Sequence, residues 1–212
     1  MMFTFISMRM LLVILCCFPL YVFSQTKDSL SHFIDLENYD DSFTYDVRYA
    51  TANNFLEQPI YDCEKCLLLP EVAEALAKAN NYFCDLGYQI KLFDCYRPLS
   101  AQKKMWKIYP DARYVANPYT KKSVHNRGAA VDLTLVNKEN GKPLEMGTGY
   151  DHFGEEAHQA YKKLPAKVLA NRKLLREGLK KFGFHTIRTE WWHYDFGRAY
   201  SYPVYDIEFN CP

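Results

Sequence analysis

Charge of one sign is what this chain lacks: 26 Lys and Arg stand against 25 Asp and Glu. A nucleic-acid partner would show as a basic surplus or stripe, so that class is not expected. Long hydrophobic runs are missing as well. The main apolar stretch, Leu11 to Phe23, has about thirteen residues, short of the roughly 20 that span a bilayer. Cys63-Glu64-Lys65-Cys66 has no second C-x2-C to complete a four-ligand zinc ribbon, and no thioredoxin-like setting for a redox motif. Internal repeats and low-complexity tracts are also absent.

Residues 1–24 carry a single charge, Arg9, ahead of the apolar run and end in Val22-Phe23-Ser24. This reads as a cleaved export signal, with Met8 an alternative start. A lipoprotein anchor through Cys16 or Cys17 fits less well, because Leu15 or Cys16 precedes it where a small residue belongs. The expected product is periplasmic or secreted, with no membrane span after cleavage. Removing 24 residues from 212 leaves 188, enough for one domain with a real core. Five cysteines remain: Cys63, Cys66, Cys84, Cys95 and Cys211. In an oxidising compartment an odd count leaves at least one thiol free or paired between molecules, and a small loop disulfide between Cys63 and Cys66 is expected.

Periodicity gives the elements. Alternation at Phe43, Tyr45, Val47 and Tyr49 predicts a strand over Ser42 to Thr51. Pro70 opens a helix whose apolar positions Val72, Leu76, Ala79 and Phe83 recur at helical spacing until Gly87. Tyr88 to Tyr96 reads as a strand delivering Arg97 to its end, and Ser100 to Tyr109 as a short helix. Val131 to Val136 places Asp132 on a strand. Leu164 to Phe182 forms a helix with Val168, Leu169, Leu174, Leu175 and Leu179 inward, and His185 to Phe196 is the last strand. The fold class is α+β, a small antiparallel or mixed sheet packed against several helices.

His125 and Asp132 stand seven positions apart with Gly128 between them, a spacing that lets an imidazole and a carboxylate turn toward one point. Glu190-Trp191-Trp192-His193 adds a Glu three residues before another His, in the pattern of base followed by ligand. Three protein ligands leave one position open, which is the catalytic arrangement of zinc. On one flat strand Glu190 and His193 would face opposite ways, so the chain must bend near Trp191-Trp192 or one of the two must lie at a strand end. Trp191 and Trp192 read as walls and core.

These motifs and their surroundings resemble the zinc D-alanyl-D-alanine dipeptidases within the zinc D,D-peptidases. The matching blocks are SVHNRGAAVDLTL from Ser123, EWWHYDF from Glu190, FDCYRP from Phe93, MGTGYDHF from Met146 and RYATANNF from Arg48. The resemblance implies one Zn2+ per chain on His125, Asp132 and His193, with Glu190 as general base and Arg97 at the developing oxyanion. It implies that Asp151 grips the free ammonium of a small dipeptide substrate, and that the fold carries its zinc on the sheet. Ser123 either touches substrate or supports its loop. Two rivals remain: a zinc D,D-carboxypeptidase for larger peptidoglycan peptides, and a non-catalytic zinc-stabilised binding domain, which would not need Glu190 and Arg97 together.

Overall fold

The computed structural model describes residues 30–211 together with Met1. The expected leader, its cleavage point and the Cys16 or Cys17 anchor lie outside the described residues. Among those described, no helix is long and apolar enough to cross a membrane.

The order along the chain is β1 (Ile34–Asp35), α1 (Leu36–Tyr39), β2 (Thr44–Tyr45), β3 (Leu67–Leu68), α2 (Pro70–Asp85) and β4 (Tyr88–Asp94). Then come α3 (Leu99–Ile108), β5 (Ala130–Asn137), α4 (Ala166–Lys180), β6 (Phe184–Thr186) and β7 (His193–Phe196). β1 and β3 form a small antiparallel pair. The main sheet runs β2-β4-β5-β7-β6, antiparallel throughout except where β2 meets β4. The architecture is the α+β one that the periodicity predicts.

β5 lies at the centre, and Ala130 to Val136 are all buried, which explains why the strand reads as a nearly continuous apolar run. Helix α2 starts at Pro70, where the missing N–H costs nothing, and stops just before Gly87, whose φ of +83° suits glycine. Val72, Leu76, Ala79 and Phe83 are fully buried along its inner face. Each larger apolar side chain so placed contributes about 1.5–3 kcal/mol relative to exposure. Helix α4 packs beside it at Gly178, where an added Cβ would collide with the Phe83 ring. Val168, Leu175 and Leu179 are buried on α4, while Leu169 and Leu174 are only half-buried. Buried Arg172 takes a place on that face and donates to the carbonyls of Met146 (2.7 Å), Glu156 (2.9 Å) and His158 (3.3 Å). It thereby anchors both ends of the loop that carries Asp151.

Three expectations need correction. The strand predicted over Ser42 to Thr51 is only β2, and Arg48–Ala50 forms a 3-10 turn. Beyond β2 the alternation of Val47 and Tyr49 is burial without a ladder: the Tyr49 carbonyl turns to accept from Ile60 (2.7 Å) and Tyr61 (2.9 Å). The strand predicted over His185 to Phe196 is a hairpin, β6 and β7, with residues 187–192 as its loop. Finally, Cys63 pairs with Cys211 and Cys66 with Cys95, so the Cys63–Cys66 bridge does not exist. Cys66 is buried against the end of β4 while Cys63 is half-buried against the C-terminal tail, so the neighbours in sequence face different partners. Among the described residues Cys84 is the free thiol.

Candidate active site

Asp132 on β5 lies directly opposite His193 on β7, so both side chains leave the same face of the sheet. His193 is the first residue of its strand and Glu190 sits in the loop before it, which removes the conflict of faces. His125 comes from a 3-10 turn, His125–Arg127, closed by Gly128 at φ +63°. Any Cβ on Gly128 would also strike the Phe33 ring, so glycine serves both the turn and the close approach.

Three donor atoms converge: His125 Nε2, Asp132 Oδ1 and His193 Nδ1. Their separations are 3.1 Å between the imidazoles, 2.9 Å from Asp132 to His193 and 3.3 Å from Asp132 to His125. The outward nitrogens are committed elsewhere. His125 Nδ1 donates to the Cys95 carbonyl (2.6 Å) and His193 Nε2 to Asp195 (2.9 Å), so the inward nitrogens present lone pairs. Asp132 Oδ2 accepts from the Tyr150 hydroxyl at 3.0 Å. Two lone pairs and a carboxylate facing one another repel unless a cation lies among them. A tetrahedral ion with bonds of about 2.0–2.2 Å holds its ligand atoms about 3.4 Å apart, close to the edges found here.

The electrostatics agree. Burial opposes the charge on Asp132, yet His125 and His193 beside it hold the carboxyl well below the usual range. Burial likewise opposes a charged His193, but hydrogen bonds to Asp132 and Asp195 raise it well above its ordinary value, so a proton and a metal cation compete for the same Nδ1 lone pair. Both shifts express one pull toward positive charge.

A cleft of about 440 Å³ opens over this triangle and is lined by all seven residues singled out in the sequence, adding Arg97, Ser123, Asp151 and Glu190 to the three above. Glu190 is half-buried and takes no hydrogen bond on its carboxylate from the described protein groups, and burial raises its pKa. Its main chain is pinned, the carbonyl accepting from Gln159 at 3.0 Å while Trp191 Nε1 donates to Thr148 at 2.8 Å. The Ser123 hydroxyl accepts from the His125 amide at 3.2 Å, so it supports its loop as well as lining the cleft.

Arg97 lies inside the protein. Its guanidinium is buried, doubly bonded to Asp94 and bonded to Gln102 (2.8 Å) and Tyr61 (3.3 Å), with the Tyr49 ring 4.9 Å from its centre. Burial works against the charge, but Asp94 keeps the group well above its usual pKa. Asp151 has φ +58°, a left-handed conformation uncommon for any residue other than glycine, and accepts from the Tyr49 hydroxyl at 3.0 Å.

The family described as D-ala-D-ala dipeptidase matches residues 30–211. The chain belongs to that family. It is a metallopeptidase. It is 36% identical over 178 residues to the D-alanyl-D-alanine dipeptidase of Escherichia coli K12, covering 84% of this chain and 91% of that one. The D-alanyl-D-alanine dipeptidase of Enterococcus faecalis V583 is 32% identical over 197 residues, covering 84% and 96%. Among solved structures, a vancomycin-resistance D,D-pentapeptidase in complex with Zn(II) overlays 62% of this chain and 73% of its own at a TM-score of 0.41 and 16% identity.

For a dipeptidase-family cleft, the sequence reading missed the residues that hold the site in place: Asp94, Cys95, Tyr150 and Asp195. Each lies within a block that carries the resemblance, beside a residue already named, so the blocks themselves were the available signal. Tyr49 also lies in such a block, but it is 102 positions from the Asp151 it bonds, and only the fold brings the two together.

Proposed function

We propose that this chain is an exported zinc dipeptidase that hydrolyses D-Ala-D-Ala. The observation that carries the reading is the triangle of lone pairs on His125, Asp132 and His193 at the floor of a cleft that also holds Glu190, Arg97 and Asp151. Zinc held by that triangle supplies Lewis acidity, polarising a carbonyl and acidifying water.

The protein groups supply the rest. Glu190, unbonded and raised by burial, takes the proton of the attacking water and passes it to the leaving amine. Arg97 has five N–H donors. Its bonds to Asp94, Tyr61 and Gln102 fix the guanidinium plane and leave donors for the oxyanion that forms as water adds. Asp151 receives the free ammonium of the substrate, which favours a dipeptide over a longer or acylated peptide. Tyr150 holds the second oxygen of Asp132, keeping the first turned toward the metal position. Export is supported by the two disulfides, which persist in oxidising compartments.

The test is D-Ala release from D-Ala-D-Ala by residues 25–212, before chelation, after it, and after zinc is returned. Loss and recovery are expected. Turnover that survives complete metal removal would defeat the zinc reading. Equal cleavage of N-acetyl-D-Ala-D-Ala would transfer the assignment to the carboxypeptidase.

A further inference from the structure

The two disulfides differ in where they sit. Cys63–Cys211 closes 148 residues and ties the C-terminal tail, whereas Cys66–Cys95 closes 29 and stands beside the metal triangle. The β4–β5 ladder ends at the pair Asp94 and Asp132, just after a register shift. Cys95 is therefore the first residue that the main sheet no longer holds. Its carbonyl is nonetheless the acceptor that fixes the His125 ring, at 2.6 Å. The chain beyond it is laced to the turn carrying His125: the Arg97 amide donates to the His125 carbonyl (3.0 Å), and Asn126 Nδ2 donates to the Arg97 carbonyl (2.9 Å). On the other side, Cys66 precedes β3, and the Leu67 carbonyl accepts from the Tyr96 amide at 2.9 Å. Both bridged cysteines are buried.

We infer that the Cys66–Cys95 disulfide is a positioning element for the metal centre. It clamps the end of β4 to β3, which fixes the Cys95 carbonyl and through it the direction of His125 Nε2. Metal affinity then depends on this bridge and not on the other. Chain entropy ranks the bridges oppositely, because the longer loop constrains the unfolded chain more. A role in stability alone would therefore make Cys63–Cys211 the more important of the two.

The inference rests on the zinc reading above, and the experiment separates the two. Zinc affinity by chelator competition, the visible spectrum of the Co(II)-loaded protein and the Tm of the metal-free protein are measured for wild type and two double variants. Cys66→Ala with Cys95→Ala should weaken zinc about tenfold or more and alter the cobalt bands, the range expected when the partner of a ligand is disturbed. Cys63→Ala with Cys211→Ala should lower Tm more while leaving affinity within about twofold and the spectrum unchanged. Affinity losses that track Tm in both variants, or an unchanged centre without Cys66–Cys95, would overturn the inference. If the first variant does not fold, Cys66→Val with Cys95→Ala restores apolar volume and is read in the same way. Wild type that binds no zinc refutes the metal reading itself, a separate result.

Discussion

The cleft has two walls, built by different means. The metal wall stands on the sheet, where Asp132 and His193 are opposed by the main-chain ladder of β5 and β7. The substrate wall, Tyr49, Arg97 and Asp151, stands on a 3-10 turn and two loops, over a small separate cluster that includes Val47, Leu56, Ile60, Tyr61 and Met105. There, side chains replace the ladder: Asp94, Gln102 and Tyr61 hold Arg97, Tyr49 holds Asp151, and Arg172 holds the loop ends. Direction set by the backbone survives the loss of a side chain, whereas direction set by side chains does not. Substitutions in the first wall should remove chemistry locally, and those in the second should also cost stability.

The largest effect tests the first half of that statement. His125→Ala or His193→Ala should abolish zinc binding and turnover, since two ligands rarely retain a catalytic ion. Far-UV circular dichroism of either variant should stay near that of metal-free wild type. Full metal occupancy in both would take these residues out of the ligand set. Next in size is Glu190→Gln, which keeps shape and removes the base. It should lower kcat by about 10² or more with zinc content unchanged, and unaltered turnover would favour the non-catalytic binding domain.

Arg97→Lys crosses to the second wall. An ammonium cannot reproduce the fork that engages Asp94 and Gln102 together, so kcat should fall more than KM. Buried Gln102 also loses a partner, which should cost about 1–3 kcal/mol of unfolding free energy in a denaturant titration. A kinetic defect with no loss of stability would show that the two walls respond alike. An effect confined to KM would make Arg97 a ground-state substrate holder.

The same contrast explains what was legible in the sequence. Helix α2 was, because Pro70, the spacing of Val72, Leu76, Ala79 and Phe83, and Gly87 all state one local rule. The metal pair was, because a turn and a strand only seven residues apart carry it. The β6–β7 hairpin was not: aromatic residues fill its strands and its loop alike, so no change of period marks residues 187–192. The cysteine pairing was not either, since separations of 148 and 29 residues are decided by packing rather than by C-x2-C spacing. Tyr49 looked like one more alternating strand residue until the fold set its hydroxyl 3.0 Å from Asp151.

The smallest expected effects concern that contact, and they separate a substrate-length gauge from an ordinary loop carboxylate. Asp151→Ala should lower kcat/KM for D-Ala-D-Ala by roughly 30-fold, the lower end of the cost of truncating one partner of a charge pair, with far less change for N-acetyl-D-Ala-D-Ala. Tyr49→Phe is gentler. Burial pushes the Asp151 carboxyl well above its ordinary range, and the Tyr49 hydroxyl pulls it back. The ionised form is the one that holds an ammonium, so kcat/KM for the free dipeptide should fall as pH drops through that raised value. Removing the hydroxyl takes away a donor to the carboxylate, and the acid limb should move to higher pH. A hydrogen bond of about 1 kcal/mol corresponds to a shift of roughly 0.7 pH unit and about fivefold in kcat/KM on the limb. The acetylated peptide has no ammonium and should show neither change. A limb that stays in place in Tyr49→Phe would mean that Asp151 is not the group that titrates there, and the charge account of dipeptide preference would fail with it.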